Sequence, residues 1–206
     1  MTLADYSTEI EYAATRVIDA IWHERDEANK LREEIETLQK VAADNYSRSQ
    51  HIQETAEDAD DVMLSVGIYW DTYFGEDKDQ HYKTKDLESL EERLRTREFS
   101  VSSLSGTLLQ FAKQGLSATF GKPAKWPTGR SIGSQVLKTV ILEGRNQSEH
   151  WEEGNLYPPV QQCFTKLTSE FGPQFCDYNT KNLAFEIIAM LDWRSFKDFR
   201  NDLLSM

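Results

Sequence analysis

Arg145, Asn146 and His150 carry the side chains best suited to chemistry in this 206-residue chain, within the run Arg145-Asn146-Gln147-Ser148-Glu149-His150. Arginine is a permanent cation whose planar fork of N–H groups matches phosphate oxygens. Histidine changes charge near neutral pH, so a neutral His150 can take a proton and a protonated one can return it. Together they fit phosphodiester chemistry without a metal. RNA supplies its own nucleophile, the 2′-OH. Cleavage then needs a base for that proton, an acid for the departing 5′-oxygen and a cation for the crowded phosphorane. Asn146 and His150 are four residues apart and share a face of a helix, where Asn146 is placed to orient the imidazole or touch phosphate. Arg145 lies about 140° around an ideal helix from His150. One helix does not bring that pair together easily; two copies facing each other would.

The same residues have a plain structural reading. Arg145 and Glu149, at i and i+4, suit a surface ion pair worth about 0.3 kcal/mol. His150 beside Trp151 reads equally as an ordinary half-exposed histidine. The loosened spacing is also cheap: Arg16 and His23 satisfy it too, inside an apolar-striped helix, and no role is assigned to them.

The pattern R-N-x-x-x-H, late in a chain that reads as helical throughout, resembles the active-site motif of the HEPN family. An asparagine directly after the arginine, two long amphipathic helices upstream, a basic loop just before and Gly144 immediately ahead carry the resemblance, which spans roughly residues 58–206. It implies an all-α helical bundle that homodimerises, with a composite cleft between protomers. The implied activity is metal-independent endoribonuclease cleavage, with Arg145 and His150 catalytic and Asn146 supporting, and with no cofactor. Families of this kind often serve as toxins or in phage defence. An antitoxin or other regulator protein is the partner that such a role implies.

Residues 121–150 hold Lys122, Lys125, Arg130, Lys138 and Arg145 against only Glu143 and Glu149. RNA contact is therefore expected at Lys122, Lys125 and Arg130, with Trp126 offering a face for base stacking. Ordinary solvated lysines and a packed indole are the competing account. Two other function classes stay open. One is a non-catalytic helical interaction protein whose long N-terminal helix recruits a partner, with R-N-x-x-x-H a structural remnant. The other is a ligand-binding sensor holding a nucleotide phosphate with Arg145 and Lys122.

Other chemistries fare worse. A carboxylate-bridged metal bundle wants Glu-x-x-His twice, but Gln147 and Lys78 stand three residues before His150 and His81. His23 and His51 have no second histidine at i+4, so zinc is not expected. Phosphate-loop, nucleophile-elbow and dinucleotide fingerprints are absent from the sequence.

The elements that must position these residues read as helices. Thr8 and Glu11 fit a capping box. Ile10, Ala14, Val17, Ile21, Ala28, Leu31, Ile35, Leu38 and Ala42 follow a heptad seam, broken at Glu24, which either pairs with a copy of itself as a coiled-coil-like arm, the favoured reading, or packs back on the rest of the chain. Residues 1–57 are thus expected to form an added N-terminal amphipathic helix and residues 58–206 the HEPN-like bundle. Val62, Val66, Tyr69, Trp70 and Tyr73 mark a further helical face ending near Gly75. A turn is expected between Gln80 and Lys83, with Thr84 capping a helix through Leu87, Leu94, Leu104 and Phe111 to Gly121. Residues 121–131 form the clearest loop. A helix follows through Val140 and Ile141 to the motif. Another starts at Pro159 and ends at Gly172-Pro173. Short helices through Leu183–Leu191 and Phe196–Leu203 close the chain. Strand signals are missing, so the class is all-α.

A net charge of −12 argues against general affinity for nucleic acid. The charge is uneven: residues 1–100 carry 12 Lys+Arg and 25 Asp+Glu, whereas the rest carry 11 and 10. No run of about 18 apolar residues suggests a membrane span, and no secretory leader is visible. Cys163 and Cys176 lack metal or redox spacing and read as reduced thiols, Cys163 a small core residue, in a cytoplasmic protein.

Overall fold

The computed structural model describes the backbone of residues 1–55 and 77–206, and the side chains of residues 1–40, 43, 47, 51 and 87–206. Among the described residues the chain is all-α. Its helices are α1 (Leu3–Thr55), α2 (Asp77–Phe120), α3 (Leu137–His150), α4 (Pro158–Phe171), α5 (Ala184–Leu191) and α6 (Phe196–Leu204). A minimal antiparallel ribbon interrupts them, β1 (Ser131–Ile132) against β2 (Gln135–Val136), with Ser131 opposite Val136 and Ile132 opposite Gln135. No helix among the described residues is long and apolar enough to cross a membrane.

Several boundaries differ from the sequence expectation. The capping box of α1 is Thr2–Asp5, not Thr8–Glu11. The Thr2 N–H donates to Asp5 Oδ2 at 3.0 Å and the Asp5 N–H to Thr2 Oγ1 at 3.1 Å. Thr8 lies inside the helix, its hydroxyl donating to the Ala4 carbonyl at 3.0 Å. The turn at Gln80–Lys83 and the cap at Thr84 are overturned, because α2 is already helical from Asp77. Strong helix formers such as Lys78, Gln80, Lys83 and Lys85 let the helix run through a stretch whose charge resembles a loop. Pro158, not Pro159, opens α4. The expected boundary at 57/58 and the face from Val62 to Tyr73 lie outside the described residues.

Two compact units form: residues 1–25 with 98–206, and residues 26–97. In the first, the opening of α1 is core. Leu3, Ala14, Ile18 and Ile21 are buried with Leu108, Leu109, Ala112 and Leu116 of α2. Tyr6 pins the two helices, its hydroxyl donating to the Phe111 carbonyl at 2.8 Å. Its ring occupies the space over Gly115, where a Cβ would lie 2.6 Å from it. In the second unit Leu31 and Ile35 of α1 close a small cluster with Leu90, against which Leu87 and Leu94 pack. The apolar stripe of α1 is thus covered by its own chain as far as Ile35, whereas Leu38 is exposed. The seam also drifts, Ile18 rather than Val17 taking the fully buried place. A straight helix slips about 20° per heptad against a strict seven-residue repeat.

The rest of the first unit's core is built on α3. Val140 and Ile141 are fully buried beside Phe164, Ile187, Ile188 and Phe199. Gly144 faces α5, and a Cβ there would overlap Ile187 Cδ1 and touch Leu109. Its small size therefore serves the close approach of α3 to α5. Gly144→Val is expected to destabilise the fold by about 2 kcal/mol through overpacking, as a fall in the urea unfolding midpoint would show.

Candidate functional site

Helix α3 positions the motif. It has no side-chain cap at its start; loop carbonyls take its first N–H groups instead. The Leu137 N–H donates to the Arg130 carbonyl at 2.9 Å and the Lys138 N–H to the Thr128 carbonyl at 3.1 Å. At the other end His150 leaves helical geometry at φ −128°. The three-residue turn Trp151–Glu153 follows, closed by Gly154 at φ +66°. Glycine suits that left-handed position because a Cβ there is strained.

The loop and the motif are therefore at opposite ends of one helix, Leu137 to His150 spanning about 20 Å at 1.5 Å per residue. The structure does not bring the expected RNA-contacting loop residues onto the motif. Each has its own setting. Lys122 and Lys125 are exposed. Trp126 is 3 % exposed, its indole N–H donating to the Gly121 carbonyl at 2.9 Å, so it packs in the core and offers no free face for a base. Arg130 is a structural tie. Its Nε and Nη2 donate to Asp202 Oδ1 and Oδ2 at 2.7 and 2.9 Å, and Nη2 also reaches the Leu191 carbonyl at 3.1 Å. Asp202 accepts from the Trp193 indole as well, at 2.8 Å. These two residues leave the candidate contact set: burial removes Trp126, and a carboxylate already fills the fork of Arg130.

At the motif itself, Arg145 is anchored from another helix. Its Nε donates to Gln110 Oε1 of α2 at 2.8 Å. Among the described residues the terminal nitrogens make only long contacts, Nη1 to Asn146 Oδ1 at 3.5 Å and Nη2 to Glu149 Oε2 at 3.8 Å. The i,i+4 ion pair expected with Glu149 is thus present but loose. Asn146 does not bond His150. Its amide donates to Glu143 Oε2 at 3.3 Å. Glu143 is mostly buried, and burial pushes its carboxyl above the usual range while the Asn146 bond pulls the other way. Burial, with the Glu143 charge second, also pushes the Cys163 thiol up to about 12, leaving it an inert core group.

His150 is held from the turn after the helix, its Nδ1 standing 2.6 Å from Glu153 Oε1. Gln147, an unspecified position of the motif, proves to be structural. It is fully buried, donating through Nε2 to the Tyr178 and Lys181 carbonyls at 2.8 and 2.6 Å and accepting the Leu183 N–H at 3.0 Å. Sequence reasoning missed Gln110, Glu153 and this role of Gln147. Glu153 was findable, three residues after His150; a partner such as Gln110, 35 residues before Arg145, leaves no local signal. Among the described residues, no group of three His, Cys, Asp or Glu side chains is arranged to hold a metal ion. No family model, curated protein or solved structure matches this chain.

Proposed function

We propose that the chain is a metal-independent endoribonuclease of HEPN type, a cytoplasmic homodimer acting as a toxin or in phage defence. Arg145 and His150 are its catalytic residues. The observation that supports this best is the state of Arg145. Its Nε is fixed by Gln110, while both terminal nitrogens face neighbours at 3.5 Å or more and the side chain is 24 % exposed. A guanidinium held at its base with an open fork is a preorganised phosphate site. In the reaction His150 takes the 2′-OH proton as the 2′-oxygen bonds to phosphorus. The P–O5′ bond breaks, the departing oxygen takes a proton from water, and a 2′,3′-cyclic phosphate and a 5′-OH remain. Asn146 supports Arg145 rather than the imidazole. Two copies must meet for an arginine and a histidine to flank one phosphate, since the pair on one helix diverges by about 140°.

One observation favours a second reading, a helical interaction protein without activity. Arg145 is the one Lys or Arg in residues 143–153, beside Glu143, Glu149, Glu152 and Glu153, a crowd that repels a polyanion. In that reading the acidic outer face of α1 recruits the partner, because its apolar stripe is covered as far as Ile35.

The deciding experiment incubates the purified chain with mixed single-stranded RNA in excess chelator. Cleavage leaving cyclic phosphate ends is expected, with His150→Ala lowering the rate about 1,000-fold, within the usual span for a general base. Equal activity in both proteins would mean a contaminating nuclease. Silence from a folded dimer would favour the interaction protein.

A further inference from the structure

The geometry points to Glu153 as the positioning residue of His150, fixing the imidazole with its proton on Nδ1 and leaving Nε2 as the nitrogen that meets the 2′-OH. The inference rests on the ribonuclease reading for its functional half only. Its structural half is local. The chain leaves α3 at His150 and enters a three-residue turn, in which side chains three apart stack over one another. That turn sets Glu153 Oε1 at 2.6 Å from Nδ1. A carboxylate only accepts hydrogen bonds, so the nitrogen facing it must carry the hydrogen. Nε2 is then unprotonated in the neutral ring and free to act as base.

Stability does not explain the contact. The two side chains are 41 % and 56 % exposed, and a pair so open to water holds the fold together only weakly. The other polar side chains of the motif have other neighbours: Asn146 bonds Glu143, Gln147 bonds the backbone of residues 178–183, Ser148 bonds the Arg145 carbonyl at 2.9 Å, and Glu149 faces Arg145 Nη2 at 3.8 Å. Free neutral histidine favours the opposite tautomer, with the proton on Nε2. Without Glu153 the ring would mostly present an N–H where the reaction needs a lone pair.

The test is nitrogen-15 NMR of histidine-labelled protein at about pH 8.5, above the ordinary histidine range, beside cleavage assays on the same samples. In the wild type the His150 signals should report the Nδ1–H tautomer. Glu153→Ala should revert them to Nε2–H and lower kcat about tenfold with KM unchanged, a fraction of the range for general base catalysis. Glu153→Asp, which keeps the carboxylate, should restore part of both. A wild type already in the Nε2–H form, or a tautomer indifferent to Glu153→Ala, would overturn the inference whatever the cleavage result. The expected tautomer shift in a protein that cuts no RNA would instead uphold the contact and remove the ribonuclease reading.

Discussion

Gln147→Ala is expected to lower the unfolding free energy by about 3 kcal/mol, the largest stability effect of any single change within the motif. Its amide lies fully buried and bridges α3 to residues 178–183 through three hydrogen bonds to backbone groups. Truncation strands the buried Leu183 N–H and takes the amide from two partly exposed carbonyls, at about 1–3 kcal/mol for a group left unpaired. It also opens a cavity of several methylene volumes. Gln147→Glu separates the two ends of the amide. One carboxylate oxygen can still accept the Leu183 N–H. The other then faces the carbonyls of Tyr178 and Lys181, which repel it, so the folded state favours the protonated acid and its pKa rises above the unfolded value of about 4.3. The folded form then binds more protons, and stability falls as pH rises through that window. Urea unfolding at acid and neutral pH checks both variants. A Gln147→Ala protein as stable as the wild type would mean that the turn at 178–183 is held elsewhere.

Gln147 also shows what the sequence could and could not convey. Helix phase was legible, because apolar spacing alone placed Val140, Ile141, Ile187 and Ile188 inside and let the motif fall on the last turns of α3. Partnership was not. Trp126 among lysines and next to Pro127 looks like a surface aromatic, but its burial depends on a fold around Gly121 that residue types do not encode. Arg130 has the charge of an RNA contact, and only the distant Asp202 turns it into a tie between the loop and α6. The stripe on α1 was visible, and its period matched a coiled coil between chains as well as a helix folding back. The choice was made by Leu108, Ala112 and Leu116, roughly a hundred residues later in the chain. Such contacts at long sequence separation are set by topology, which local pattern does not specify.

Arg145→Ala is expected to lower kcat/KM for RNA by about 1,000-fold, in the range seen when one preorganised donor to a developing oxyanion is removed. The loss should come without unfolding. Asn146 and Glu149 stand at long range from its nitrogens, and the Nε bond to Gln110 is their sole short contact among the described residues, so stability should change by about 1 kcal/mol or less. Arg145→Lys sharpens the point. Lysine keeps the charge but has no Nε branch for Gln110 and no planar fork, so it becomes a mobile point charge on a flexible stem. If charge alone neutralises the phosphorane, Arg145→Lys should stay within about threefold of the wild type. If the anchored fork matters, it should lose about 100-fold, since two directed donors and their orientation go together. Gln110→Ala then divides the same question from the other helix. It leaves the guanidinium intact and unanchored, and about a tenfold fall, mostly in kcat, is the sign of orientation lost. Wild-type rates in all three proteins would remove Arg145 from the chemistry and leave its bond to Gln110 as a clasp between α2 and α3.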